Sequence, residues 1–120
     1  MNKILFPATG CDLNAALADR FGRAPYLIEF DIIQGTFIVE RNTVDGEAEQ
    51  GAGIQTAAKA VNAGADAVVT VNCGPKAFRV LQEAGIKVFL SPPVAVSDAI
   101  QALRAGSLRE ASGANVTGHW

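Results

Sequence analysis

Apolar positions recur along this chain with more than one period, and each predicts a different element. Lys3-Ile4-Leu5-Phe6 predicts a short strand that ends at Pro7. Leu13, Ala16, Leu17 and Phe21 are spaced as on a helix, which predicts one or two helical turns between Cys11 and Phe21. Residues 26–31 and 36–40 are rich in β-branched and aromatic side chains and flank Ile32-Ile33-Gln34-Gly35, where the glycine can take positive φ. That pattern predicts an antiparallel hairpin. Residues 43–50 are polar and turn-forming and read as a loop.

From Gly51 onward the rhythm changes to helix, glycine, strand. Ile54, Ala57, Ala58 and Val61 predict an amphipathic helix over 52–63, stopped by Gly64 in a left-handed conformation. Residues 66–71 are almost continuously apolar, as buried parallel strands are. Pro75 suits the first position of a second helix with Phe78, Leu81 and Ala84 inward and Gly85 as its stop. Residues 86–90 form a last strand. Ser97 is placed to cap a third helix with Ile100 and Leu103 inward, ended by Gly106. The expected architecture is α/β: one five-stranded mixed sheet with helices on both faces. The right-handed crossover rule sets the strand after Asp66 parallel to its successor.

At 120 residues the chain fits a single core, expected over 1–108, with a mobile, non-periodic tail over 109–120. Ten Lys and Arg against twelve Asp and Glu leave a net charge of -2, and no basic stripe interleaves with aromatics. A general nucleic-acid binder is therefore disfavoured. No apolar run approaches the ~20 residues a membrane span needs. The first seven residues carry no apolar core of secretory length, so the expected location is the cytoplasm. Cys11 and Cys73 form no C-x-x-C pair and are read as free thiols.

Candidate chemistry follows from the topology. If the first strand lies parallel to the strand after Asp66, their carboxyl ends open on one edge, where open α/β sheets bind ligands. Gly10-Cys11 follows one strand and Asn72-Cys73-Gly74 the other, so both cysteines are expected to face one cleft. Each cysteine has two readings, a small apolar side chain or a thiolate. Cys73 is the better thiolate candidate, because it sits just before a helix whose dipole would lower its pKa. Cys73 and Arg79 also match a Cys-x5-Arg phosphate cradle, although Pro75 removes one amide and Arg79 falls inside a helix. Gly51-Ala52-Gly53 before a helix is a possible anion turn, but it lacks the third glycine of a dinucleotide fingerprint. Phe21-Gly22-Arg23 puts a guanidinium before a strand, either solvated or aimed at an anion; Lys76 adds a second cation. A two-metal nuclease needs several carboxylates together at strand ends; here the first strand carries no acid, the strand after Asp66 ends in Asn72, and Asp12 and Asp31 remain without partners. His119, in the tail, reads as an exposed residue, and Trp120 beside it is a candidate to dock.

Phe21-Gly22-Arg23-Ala24-Pro25-Tyr26, Gly51-Ala52-Gly53-Ile54-Gln55, Gly74-Pro75-Lys76-Ala77-Phe78 and Ala84-Gly85-Ile86-Lys87-Val88, in this order and spacing, resemble the dinitrogenase iron–molybdenum cofactor biosynthesis family. The resemblance runs from about residue 3 to about residue 108 and is closest to the small stand-alone members. It implies a ribonuclease-H-like fold and a non-enzymatic protein that binds or carries an anionic metal–sulfur cluster. The cluster would be a Mo–Cu sulfide, or the Fe–Mo cofactor or its precursor. On this reading Gly10, Cys11, Arg23, Gly51, Gly53, Asn72, Cys73, Gly74 and Lys76 line the site, with Cys73 and Cys11 as metal ligands where thiolates bind. The chain would act as a monomer, with a protein partner for cluster transfer and without nucleic acid or membrane. An interaction or regulatory domain without a cluster is the alternative, with the phosphatase behind it.

Overall fold

In a computed structural model, residues 1–43 and 51–116 are described. Most of the expected loop over 43–50, and both His119 and Trp120, lie outside the described residues. Among the described residues six strands and three α-helices follow in order: β1 (Lys3–Ala8), β2 (Tyr26–Asp31), β3 (Thr36–Arg41), α1 (Ala52–Asn62), β4 (Ala67–Thr70), α2 (Pro75–Glu83), β5 (Lys87–Leu90), α3 (Val96–Arg104) and β6 (Arg109–Glu110). The sheet order is β3-β2-β1-β4-β5-β6. β1 pairs antiparallel with β2 and parallel with β4, and β4 pairs parallel with β5.

The mixed α/β sheet is as expected, with six strands in place of five. The sixth is the two-residue β6, which pairs antiparallel with β5 through Leu90–Arg109 and Phe89–Glu110. So short a strand has no periodicity of its own to read; its pairing comes from the neighbouring edge. Residues 109–116, expected in a mobile tail, sit on the fold: Ala111 N–H donates to Val88 O (2.8 Å) and its side chain packs against the core.

Side-chain alternation divides the core into two. Leu5, Leu27, Val68 and Val88 face α1 and α2. Ile4, Phe6, Ile28, Phe30 and Val69 face the other way, toward α3. Because β1, β4 and β5 are covered on both faces, they read as continuous apolar runs. β1 also runs through Pro7 to Ala8, pairing Pro7 with Leu27; its two β4-paired residues, Ile4 and Leu5, come earlier. The missing Pro7 N–H therefore interrupts no ladder on that side.

Three local expectations change. Residues 11–20 are not helical. The Asp12 carboxylate accepts from Asn14 N–H (2.9 Å), a side-chain turn that competes with helix, and two isolated bridges tie Ala8 to Leu17 and Ala16 to Ala95. Phe21–Arg23 alone makes a 3-10 turn. In α1 the inward face is Gly53, Thr56, Ala57 and Ala60, while Ile54 and Val61 are each 40% exposed. α3 starts after Ala95 with no side-chain cap, and Ser97 lies within its first turn. Its first amides, on Val96 and Ser97, donate to Ala15 O (2.9 Å) and Leu13 O (2.8 Å). The preceding loop thus supplies what a serine cap would have supplied.

The small-residue face of α1 has a physical cause. A Cβ on Gly22 would lie 2.6 Å from Gly53 N and 2.9 Å from Ala52 C, so the 3-10 turn and the start of α1 touch backbone to backbone. Asn42, 8% exposed, fixes the same junction: its amide donates to Ala24 O (2.8 Å) and Thr56 Oγ1 (3.2 Å), and its Oδ1 accepts from Lys59 Nζ (2.8 Å). Elsewhere, Gly64, Gly85 and Gly106 end the helices at φ near +70°. The Asp66 carboxylate accepts from the amides of Asn2 and Lys3, which hold it below the ordinary carboxylate range and pin the chain's start to β4.

Gly22→Ala has backbone on the other side of the new methyl and no side chain that can yield. Overpacking of this kind costs about 1–3 kcal/mol. Urea denaturation should show that loss, whereas Gly113→Ala, with open space around it, should leave the midpoint within experimental scatter.

Candidate functional site

The carboxyl ends of β1, β4 and β5 open on one edge of the sheet, as their parallel pairing requires. Three segments build that edge. The loop after β1 turns back on itself, with Thr9 N–H donating to Ala16 O (2.9 Å), and leaves Cys11 exposed. The turn after β4 carries Asn72-Cys73-Gly74 into α2. The 3-10 turn brings Arg23 to the surface beside the start of α1.

The structure distributes the expected site residues unevenly. Cys11, Arg23 and Lys76 are exposed; Gly10, Gly51 and Asn72 are half-buried. Gly53, Cys73 and Gly74 are buried. The two cysteines therefore do not share an open cleft. Cys73 is 1% exposed among Phe78, Leu81 and Ala18 in the α1–α2 core, and burial pushes its thiol up from 9.0 to about 12. The expectation that the α2 dipole lowers this pKa is overturned, because desolvation of the charged form outweighs a partial charge at the helix end. A neutral buried thiol is also no nucleophile, and Arg79 lies on the exposed side of α2, so Cys73 and Arg79 form no phosphate cradle. Gly53 is occupied as well, its backbone pressed by Gly22.

Asn72 proves to be a structural hub. Its Nδ2 donates to Asp19 O (2.9 Å), and its carbonyl accepts from Phe21 N–H (3.2 Å), so the β4–α2 turn grips the 3-10 turn. Sequence reasoning missed its counterpart, Asn115. That side chain accepts from Cys73 N–H through Oδ1 (2.7 Å) and donates through Nδ2 to Asn72 Oδ1 (3.0 Å) and Val71 O (3.3 Å). The Asn115 N–H also donates to Cys73 O (3.2 Å). An asparagine in a non-periodic tail gives no sequence signal of this role.

Chemically, the edge can offer cations, first-turn amides and one accessible thiol. α2 starts at Pro75 with no side-chain cap, so the amides of Lys76 and Ala77 open its first turn without intrahelical partners. The amides that begin α3 are already used by Ala15 O and Leu13 O. Among the described residues no three of His, Cys, Asp and Glu gather to hold a metal ion. No described helix is long and apolar enough to cross a membrane.

The fold as a whole has known relatives. The family model described as dinitrogenase iron-molybdenum cofactor matches residues 2–106. The apo form of the orange protein from Desulfovibrio gigas is 33% identical, superposes with a TM-score of 0.92, and is covered over 98% of its length by 97% of this chain. A NifB-like protein from Thermotoga is 32% identical with a TM-score of 0.77, over 92% of this chain and 93% of its own. An uncharacterised protein of Methanocaldococcus jannaschii is 28% identical over 101 residues, 81% of this chain and 84% of that protein.

The different environments of the two cysteines give a direct test. At pH 8 an aromatic disulfide reagent should label Cys11 promptly and Cys73 only after denaturation. Because the folded Cys73 thiol titrates above its unfolded value, native protein binds the extra proton between about pH 9 and pH 12. Stability should fall with rising pH across that window, and Cys73→Ala should flatten the fall. Equal labelling of both thiols in native protein would contradict the burial.

Proposed function

The chain belongs to the dinitrogenase iron–molybdenum cofactor family, and from that premise we propose that it binds or carries an anionic metal–sulfur cluster without catalysing a reaction. The observation that carries the proposal is the near-complete likeness, in length and backbone course, to an orange protein solved in its apo form. The cargo is molybdenum-containing, a Mo–Cu sulfide or the Fe–Mo cofactor or its precursor. It is delivered in the cytoplasm to a protein partner.

The residues fit such a cargo better as an anion than as a metal to be ligated. A thiometallate cluster brings its own sulfide ligands and needs positive potential and a shaped surface instead of a protein donor set. The carboxyl-end edge supplies Arg23 and Lys76 as exposed cations, the opening amides of α2, and Gly10 and Gly51 where no side chain stands in the way. Cys11 is the thiol that could reach a metal. Cys73 supports the floor, since desolvation keeps it protonated. Asn72 and Gly53 hold the edge together, while Gly74 precedes the first turn of α2.

Reconstitution with tetrathiomolybdate and copper under reducing conditions should yield a visible chromophore with stoichiometric molybdenum and copper that survives desalting. Cys11→Ser should retain it, whereas Arg23→Gln combined with Lys76→Gln should weaken retention about tenfold, the loss of one to two charge-assisted contacts. Failure of wild-type protein to hold either this cluster or an iron–molybdenum precursor through desalting would overturn the proposal.

A further inference from the structure

A second polar hollow lies away from that edge's centre, between β6 and the segment that follows it. Its volume is about 380 Å³, and Leu90, Arg109, Ser112, Gly113, Ala114 and Asn115 contribute to its lining. Strand alternation fixes which side chains point into it. Leu90 pairs with Arg109, two residues along from Val88 and Ala111, which both pack on the α2 face; Arg109 therefore projects to that same side. Glu110 pairs with Phe89, which packs against the α3 face, so its side chain sets out toward that opposite face, although the residue also borders the hollow.

The hollow is rich in donors. Arg109 makes no ion pair among the described residues. The amides of Ser112, Gly113 and Ala114 donate to no described group, while the flanking amides are used: Ala111 N–H by Val88 O and Asn115 N–H by Cys73 O. The segment is thus anchored at both ends, at β5 and at the β4–α2 turn, and between the anchors three successive amides and the Ser112 hydroxyl have no partner among the described residues. Exposed amides can donate to an anion, and a guanidinium beside them adds charge and a planar donor pair. The Asn115 Oδ1 on this wall already accepts from Cys73 N–H.

We infer that this hollow, bounded by Arg109 and the amides of residues 112–114, is a binding site for a free, compact tetrahedral oxyanion of the phosphate class. The volume holds such an ion with several waters, and the half-buried Leu90 and Ala111 add apolar lining. The assignment is independent of the cluster cargo: it uses none of Arg23, Lys76 or Cys11, and it stands or falls separately.

Amide resonances of 15N-labelled protein, followed during titration with inorganic phosphate at constant ionic strength, test it. Ser112, Gly113 and Ala114 should shift and saturate with phosphate but not with chloride. Arg109→Gln should raise the dissociation constant about tenfold or more, as loss of a charged hydrogen-bond donor does. Glu110→Gln should leave it within about twofold, as expected for a charge on the far face. Equal shifts with chloride, an unchanged constant in Arg109→Gln, or a change well beyond twofold in Glu110→Gln would overturn the inference. So would tighter binding of a phosphate monoester than of inorganic phosphate, because the ligand would then not be the free anion.

Discussion

The contact on which the carboxyl-end edge depends is between two backbones. Gly22 lies against Gly53, closer than any side chain would permit, and this joins the 3-10 turn to the start of α1. The rest follows from that approach. α1 must present its small face, Ala57 and Ala60, inward, and its larger Ile54 and Val61 are left outside. The polar groups sealed at the junction must be satisfied there, which Asn42 does for Ala24, Thr56 and Lys59. Removing one partner from such a network costs more than the net strength of the bond, because the other group stays buried.

The same logic operates at the β4–α2 turn. Asn72 holds the 3-10 turn from one side and Asn115 holds Asn72 and Cys73 from the other, so three segments distant in sequence are joined through two side-chain amides. Their hydrogen-bonding capacity goes into organising the edge. Cys73 lies beneath this arrangement as packing. Its neutral thiol costs nothing to bury, whereas a thiolate there would lack any compensating charge.

The proposed cargo is an anion that arrives with its inner ligands in place. A bare metal ion would instead need a donor set brought together by the fold, and among the described residues no three of His, Cys, Asp and Glu gather to form one.

Much of this protein was determined by sequence alone: the hairpin, the parallel strands read from continuous apolar runs, the three helices with their glycine stops, and the family. These are local or periodic properties, set within a few residues by backbone sterics and by the need to cover a sheet on both faces. Tertiary structure decided the rest. Leu13, Ala16, Leu17 and Phe21 have helical spacing, yet pairing with Ala8 and Ala95 outcompetes a helix there. Ile54 and Val61 have the right period but the wrong size for a helix held at glycine distance. β6 exists because β5 has an open edge, and Asn115 matters because it ends beside Cys73. Whether Cys73 is a reactive thiolate or an inert one depends on the competition between a helix dipole and burial. Spacing in the sequence reveals the dipole, but only packing reveals the burial, and burial is the larger effect.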